Sequence, residues 1–149
     1  MPLSEEQKRE NKINRTWDRY RSMAYVKAVN DCLKEFQLLR RLQCSNKNGD
    51  CNCISCGKID HYKKMDAGHF ISRTKRSTAF NCLNVWPQCK YCNQHLNGNL
   101  AEYRKNLINE IGINQVQILE AMSKTEVKPG LFELAQLKVI YKTMILERQ

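Results

Sequence analysis

No stretch of this chain approaches the roughly 18–20 consecutive apolar residues that a membrane-spanning helix needs, so a helical membrane protein is not expected. The opening residues, MPLSEEQKRE, lack the apolar core of a secretion signal, and the chain is expected to stay in the cytosol where it is made. There is no internal repeat and no low-complexity segment. Between Ser4 and Gln43 there is neither glycine nor proline, so nothing punctuates that stretch. Acidic residues are also in short supply: 15 Asp and Glu stand against 25 Lys and Arg, for a net charge of +10. A positive field of that size favours a polyanionic partner, and nucleic acid is the usual one.

Cysteine, by contrast, is abundant: eight residues in 149. In a reducing compartment, clustered cysteines bind metal more often than they form disulfides. Cys53-x-x-Cys56 and Cys89-x-x-Cys92 are two such pairs, each bringing two thiolates to one side of a short turn. Together they make a closed, four-coordinate, all-cysteine zinc site, which is structural because it leaves no position open for a substrate. Cys51 is an alternative to Cys53 as the first ligand, while Cys32, Cys44 and Cys82 stand apart.

Three zones follow from the pattern. From Ser4 to Gln43, Ile13, Trp17, Tyr20, Ala24, Val29, Leu33, Phe36 and Leu39 form an apolar stripe at helical spacing, with Ser4 and Gln7 fitting a capping box. The stretch is expected as one helix or two. Its apolar surface needs a partner, either the C-terminal helix or a second copy of the chain.

The middle zone reads as turn (SNKNGD), knuckle (CNCISCGK), strand (KKMDAGHFIS), loop (SRTKRSTAFN), strand (LNVWP) and helix (CKYCNQHL). In the last zone, Leu100 to Ile111 is expected as a helix stopped by Gly112, Asn114 to Met122 as a short helix, and Leu131 to Arg148 as a final one after the break at Lys128-Pro129-Gly130. The fold class is therefore α+β and mostly helical. A small zinc-bound ββα-metal (HNH) core at 44–112 is flanked by a basic helical arm at 1–43 and a helical extension at 113–149.

Between the knuckles, His69 falls on the first strand, Asn84 on the second, and Asn93 at the head of the helix, directly after Cys92. That order of residue types is the layout of an HNH nuclease. Hydrolysis of a phosphodiester needs an activated water, a neutralised phosphate and a stabilised leaving oxygen. A neutral imidazole suits the base role, assigned to His69. A single hard divalent cation, Mg²⁺ or Mn²⁺, suits the phosphate, with Asn93 as one ligand and Asp66 or Asn97 as the other. Asn84 would hydrogen-bond backbone across the loop and hold His69 in place. His95 is a weaker candidate for phosphate contact, and His61 reads as a loop residue. Arg73, Lys75 and Arg76 in the loop, with Lys63, Lys64 and Lys90 flanking the site, would contact DNA phosphates without reading sequence.

The segments CISCGK, DAGHF and NCLNVWPQCKYCNQHLNGNLAEYRKNLINEIG resemble the NinG (Rap) recombination proteins of lambda-like phages, over roughly Phe36 to the C-terminus and most strongly from Cys53 to Gly112. The resemblance implies an endonuclease acting on branched DNA such as D-loops and Holliday junctions. The arrangement is also similar to the junction resolvase endonuclease VII, in which the asparagine after the second CxxC binds the catalytic metal and the first-strand histidine is the base. Those roles map onto Asn93 and His69. One departure stands out: many HNH enzymes carry an aspartate immediately before the base, and here that position is Gly68, with Asp66 the nearest carboxylate. In a regular strand Asp66 and His69 face opposite sides, so Asp66 is expected to reach the metal only through a bulge.

The function expected from all of this is metal-dependent cutting of branched DNA, with a homodimer matching the two-fold character of a junction. A sequence-specific HNH endonuclease for linear duplex, and a non-catalytic zinc module that binds nucleic acid, are the competing expectations.

Overall fold

The computed structural model covers residues 1–149. It is an α+β structure, mostly helical, with two small antiparallel sheets. No helix is long and apolar enough to cross a membrane.

The chain divides into two units, one of residues 1–39 and 129–149, the other of residues 40–128. In the first, α1 (Glu5–Tyr20) opens on the capping box expected of Ser4: its Oγ accepts from the Gln7 N–H at 3.1 Å, and Gln7 Oε1 accepts from the Ser4 N–H at 2.9 Å. Glu5 and Glu6 sit in the first turn, where carboxylates oppose the positive end of the helix dipole. The long N-terminal stretch breaks at residues 21–24, and α2 (Tyr25–Gln43) follows.

α5 (Leu131–Leu146) supplies the cover that the apolar stripe of α1 required. Trp17 meets Phe132 edge to face at 5.4 Å, and Phe36 packs on Tyr141 at 5.1 Å. A buried cation closes the interface: Lys138 Nζ lies 3.2 Å from both Asp31 and Glu35, and Tyr20 donates to Asp31 at 2.6 Å. Such a charge is tolerated because every proton on it can find an acceptor.

The second unit begins with a hairpin absent from the sequence expectations, β1 (Asp50–Asn52) paired antiparallel with β2 (Ile59–His61). His61 therefore ends a strand. It also caps the next turn, with Nδ1 accepting from the Lys63 N–H at 3.3 Å, and its ring fills the space over Gly49, which has φ +84°. That turn, a single 3₁₀ turn over Tyr62–Lys64, takes Lys63 and Lys64 out of the strand expected from residue 63.

β3 is only Asp66–His69, and β4 is Val85–Gln88, not the 83–87 expected. Asn81 Oδ1 accepts from the Leu83 N–H at 2.9 Å and closes a 3₁₀ turn over Cys82–Asn84, so Asn84 sits just ahead of the strand instead of on it. After β4, Tyr91–His95 form a π-helical turn. α3 (Leu100–Ile111) and α4 (Ile113–Met122) complete the unit, meeting at Gly112. α4 thus lies in the unit that carries the cysteine pairs, whereas the sequence boundaries put it in a C-terminal extension beginning at 113. Ile54, Tyr103, Leu107, Val116 and Leu119 form the core here, with Phe70, Ile71 and Trp86 packed against it.

Candidate functional site

Four cysteines converge where the sequence pairs them. The sulfurs of Cys53, Cys56, Cys89 and Cys92 all lie within 4.8 Å of one another, so the cluster could hold a metal ion such as zinc. A tetrahedral zinc with Zn–S bonds of about 2.3 Å separates its sulfurs by about 3.8 Å; Cys56 Sγ and Cys89 Sγ are 3.7 Å apart. Burial pushes the Cys53 thiol up, but backbone N–H groups of Cys89, Cys56 and Ser55 outweigh it and hold the thiol below its ordinary value, while burial pushes the Cys56 thiol up and that of Cys92 up to about 12. Cys51 is not part of the cluster; its thiol is turned to the Asp60 carbonyl at 3.7 Å.

The knuckle sets up the rest of the site through β4. The register aligns Asp66 with Gln88 and His69 with Val85, with no bulge. Regular pairing sends Asp66 and Gly68 to one face of β3, and Ala67 and His69 to the other. Gln88 is fully buried and explains the glycine before the histidine. Its Nε2 donates to Ser55 Oγ at 2.8 Å and to the Gly98 carbonyl, while its Oε1 occupies the place where a Cβ on residue 68 would stand. A side chain at 68 would have to push the Gln88 amide aside.

The nearest carboxylate, Asp66, reaches Asn93 across the end of the two strands. The bulge expected to bring Asp66 to a metal beside His69 is absent, and the two side chains keep to opposite faces of β3. Asp66 Oδ2 accepts from Asn93 Nδ2 at 2.9 Å and Gln94 Nε2 at 2.8 Å, and Lys90 Nζ lies 3.2 Å from Oδ1. Burial pushes the Asp66 carboxyl up, but these three donors outweigh it and keep it below its ordinary value. A carboxylate and a carboxamide are hard oxygen donors of the kind that hold Mg²⁺ or Mn²⁺. A half-turn of the Asn93 amide would present Oδ1 in place of Nδ2, giving up its hydrogen bond to Asp66. Asn97 has φ 50° in an exposed left-handed turn and makes no bond to Asp66 or Asn93.

His69 ends β3. Its Nε2 lies 2.9 Å from the Ala79 carbonyl, which can only accept, so Nε2 carries the proton. In the neutral ring Nδ1 is then the basic nitrogen. Burial lowers the pKa of His69 from its ordinary value; the Ala79 bond opposes this and the Arg73 charge adds to it.

Asn84 is fully buried and clamps the loop that carries Ala79. It accepts from the Ile71 N–H at 2.8 Å and donates to the Ile71 and Thr78 carbonyls at 3.0 and 3.1 Å. Asn84→Ala should therefore cost about 1–3 kcal/mol, the penalty for buried polar groups left without partners. Asn84→Asp should be no better, since a carboxylate cannot donate to either carbonyl. Chemical denaturation curves matching the parent would show that the clamp is dispensable.

Around this site, Arg73 and Lys75 are exposed on the loop between β3 and β4, and Arg76 donates to the Arg73 carbonyl at 2.5 Å. Lys63 and Lys64 flank β3, with Lys64 3.7 Å from Asp60. His95 is exposed and stacks on Tyr91. Gln94, Gln88 and Tyr103, whose hydroxyl donates to the Gly68 carbonyl at 2.7 Å, escaped the sequence reading, because nothing in the sequence marks a polar side chain whose partner is brought by another element. A cavity of about 940 Å³ over Arg40, Cys56, Trp86, Asn99 and Asn106 includes none of Asp66, His69 and Asn93.

Comparison with known proteins agrees with the resemblance. The chain is 40% identical over 76 residues to "Protein ninG" of Escherichia phage lambda and to that of Escherichia phage 933W, and 39% identical over 79 residues to that of Salmonella phage P22. These matches take in about half of this chain (50–52%) but only 37–38% of the relatives, so the chain matches well under half of their length. No solved structure is a significant match. The family model for the bacteriophage lambda NinG protein matches residues 3–148, extending the likeness through the N-terminal helices, and the chain belongs to that family.

Proposed function

We propose that this protein is a metal-dependent endonuclease of the HNH type that hydrolyses phosphodiester bonds in branched DNA, a Holliday junction or D-loop, during phage recombination. The observation that carries the reading is His69, a partly buried neutral imidazole whose Nε2–H is tied to a backbone carbonyl, leaving Nδ1 as the base. In the reaction, Nδ1 takes a proton from water, the water oxygen bonds to phosphorus, and one P–O ester bond breaks, its electron pair staying on the leaving sugar oxygen, which takes a proton from solvent while Nδ1 returns its own to solvent. Asn84 acts by position: by holding the Thr78 carbonyl it fixes the loop that orients His69. Asp66 and Asn93 are the residues that would hold Mg²⁺ or Mn²⁺, which when bound supplies charge stabilisation at the phosphate and the leaving oxygen. Arg73, Lys75 and Arg76, with Lys63, Lys64 and Lys90, would meet the flanking phosphates, and a homodimer would present two sites to the two strands of a junction.

The alternation that parts Asp66 from His69 across β3 favours one competing reading, a zinc module that binds nucleic acid without cutting it. Incubating the protein with a labelled four-way junction and with the matching linear duplex separates the two, using Mg²⁺, Mn²⁺ or no added divalent ion so that the zinc is not stripped. Metal-dependent cutting of the junction alone is the expected result. Equal cutting of both substrates would remove the preference for branches. Binding with no cutting under any ion would replace the nuclease by the binding module.

A further inference from the structure

Beside the Asp66–Asn93 corner lies a second, smaller cavity of about 400 Å³, whose walls include Lys58, Lys63, Lys64, Lys90, Asp60 and Tyr91. Four lysines face one aspartate there. Lys58 and Lys64 share Asp60, at 3.9 and 3.7 Å, while Lys63 has no carboxylate partner and extends over the Tyr62 ring, 6.0 Å from its centre. The cavity therefore carries a net positive charge. Met65 and Cys89 close it on the protein side, and its outer wall is an aromatic ring with no place in the core. Tyr91 is 63% exposed and is backed by the His95 ring, 5.8 Å away and tilted by 31°. It sits on the π-helical turn, a conformation that is rare and concentrates at functional sites.

An exposed ring beside unneutralised lysines matches the chemistry of one nucleotide, a flat π-face joined to a phosphate. Single-stranded nucleic acid is held in this way, with bases stacked on aromatic side chains and the backbone on positive charge. A paired base cannot use such a ring, because both of its faces are covered by its neighbours.

We propose that this cavity is a subsite for a single unstacked nucleotide, the base lying on Tyr91 and its phosphate on Lys63. The proposal rests on the reading that the ligand is DNA. It adds a reason for preferring branches, since branch points expose bases that linear duplex keeps stacked.

The test is a branched DNA carrying 2-aminopurine at an unpaired position next to the branch, titrated with the full-length protein without added divalent ion. Wild type and Tyr91→Phe should quench the probe, as stacking does. Tyr91→Leu should leave it bright and lose about tenfold in affinity for the branched DNA, the scale of one lost base–aromatic stack, with affinity for linear duplex unchanged. Because Tyr91 is exposed, its zinc content and thermal unfolding should match the parent. Quenching by Tyr91→Leu equal to wild type, or none by wild type, would overturn the subsite.

Its fate is separable from that of the nuclease. A junction cut normally by Tyr91→Leu, with no change in quenching, removes the subsite alone. Quenching that depends on Tyr91 in a protein that never cuts keeps the subsite and removes the nuclease.

Discussion

Replacing His69 by alanine should abolish cutting of branched DNA while the protein keeps its zinc and its fold. Removing a general base costs about 10²–10⁴-fold in rate. The structural cost is smaller: the side chain makes one hydrogen bond, to the carbonyl of buried Ala79, and leaving that carbonyl unpartnered costs about 1–3 kcal/mol. Zinc content of His69→Ala should therefore match the parent with only a modest drop in thermal stability, and imidazole in the buffer should restore part of the activity.

The same residue fixes the pH dependence. In the proposed reaction the base is the neutral ring, and burial moves its pKa below the ordinary 6.5. The rate should therefore hold steady down to pH 6.5 and fall only below it, as the ring takes up a proton. An acid limb centred above 6.5, or a His69→Ala protein that cuts at the parent rate, would assign the base elsewhere.

How much of this was legible in the sequence depends on where each residue's partner lies. The capping box at Ser4 and Gln7 and the two CxxC pairs are local patterns, and both are found as read. Asn84 was assigned a loop-holding role from its place in the order of residues, and it makes those bonds, although from a turn and not from the strand.

The β1–β2 hairpin escaped because its strands are three residues long and rich in cysteine, asparagine and aspartate, too short and too polar for an alternating pattern to show. β3 carries no bulge at Asp66, so Asp66 and His69 stay on opposite faces of the strand. What brings Asp66 to Asn93 is the register of β4, which ends opposite Asp66 at Gln88 and leads through Cys89 into the helical turn. The glycine at 68, read as a missing ligand, is instead the space that a buried glutamine requires. In each case the deciding partner is supplied by tertiary structure.

The largest structural effect should come from removing the metal. Around the knuckle the buried cluster consists of Cys51, Cys53, Met65, Cys89 and Cys92, with Tyr62 against it. Only Met65 and Tyr62 are sizeable apolar side chains, and three of the rest, Cys53, Cys89 and Cys92, belong to the four-cysteine cluster and would lose the ion that ties them together. Structural zinc contributes roughly 10–16 kcal/mol to zinc-finger peptides, as much as the whole stability of a typical domain, about 5–15 kcal/mol.

A strong zinc chelator, or Cys89→Ser, should therefore unfold the region around β3 and β4 and scatter Asp66, His69 and Asn93. The two tryptophans report the outcome separately, because Trp17 lies in the first unit and Trp86 in the second. Trp86 packs against the core of its unit and donates its indole N–H to the Leu83 carbonyl at 2.9 Å, so in Trp17→Phe its emission should shift to the red on chelation. In Trp86→Phe, Trp17 is held edge to face on Phe132 and should keep its emission. If Trp86 did not respond, the fold would not depend on the four-cysteine cluster. If both tryptophans shifted together, the helical unit would be drawing its stability from the zinc-bound one, and the two would unfold as a single cooperative block.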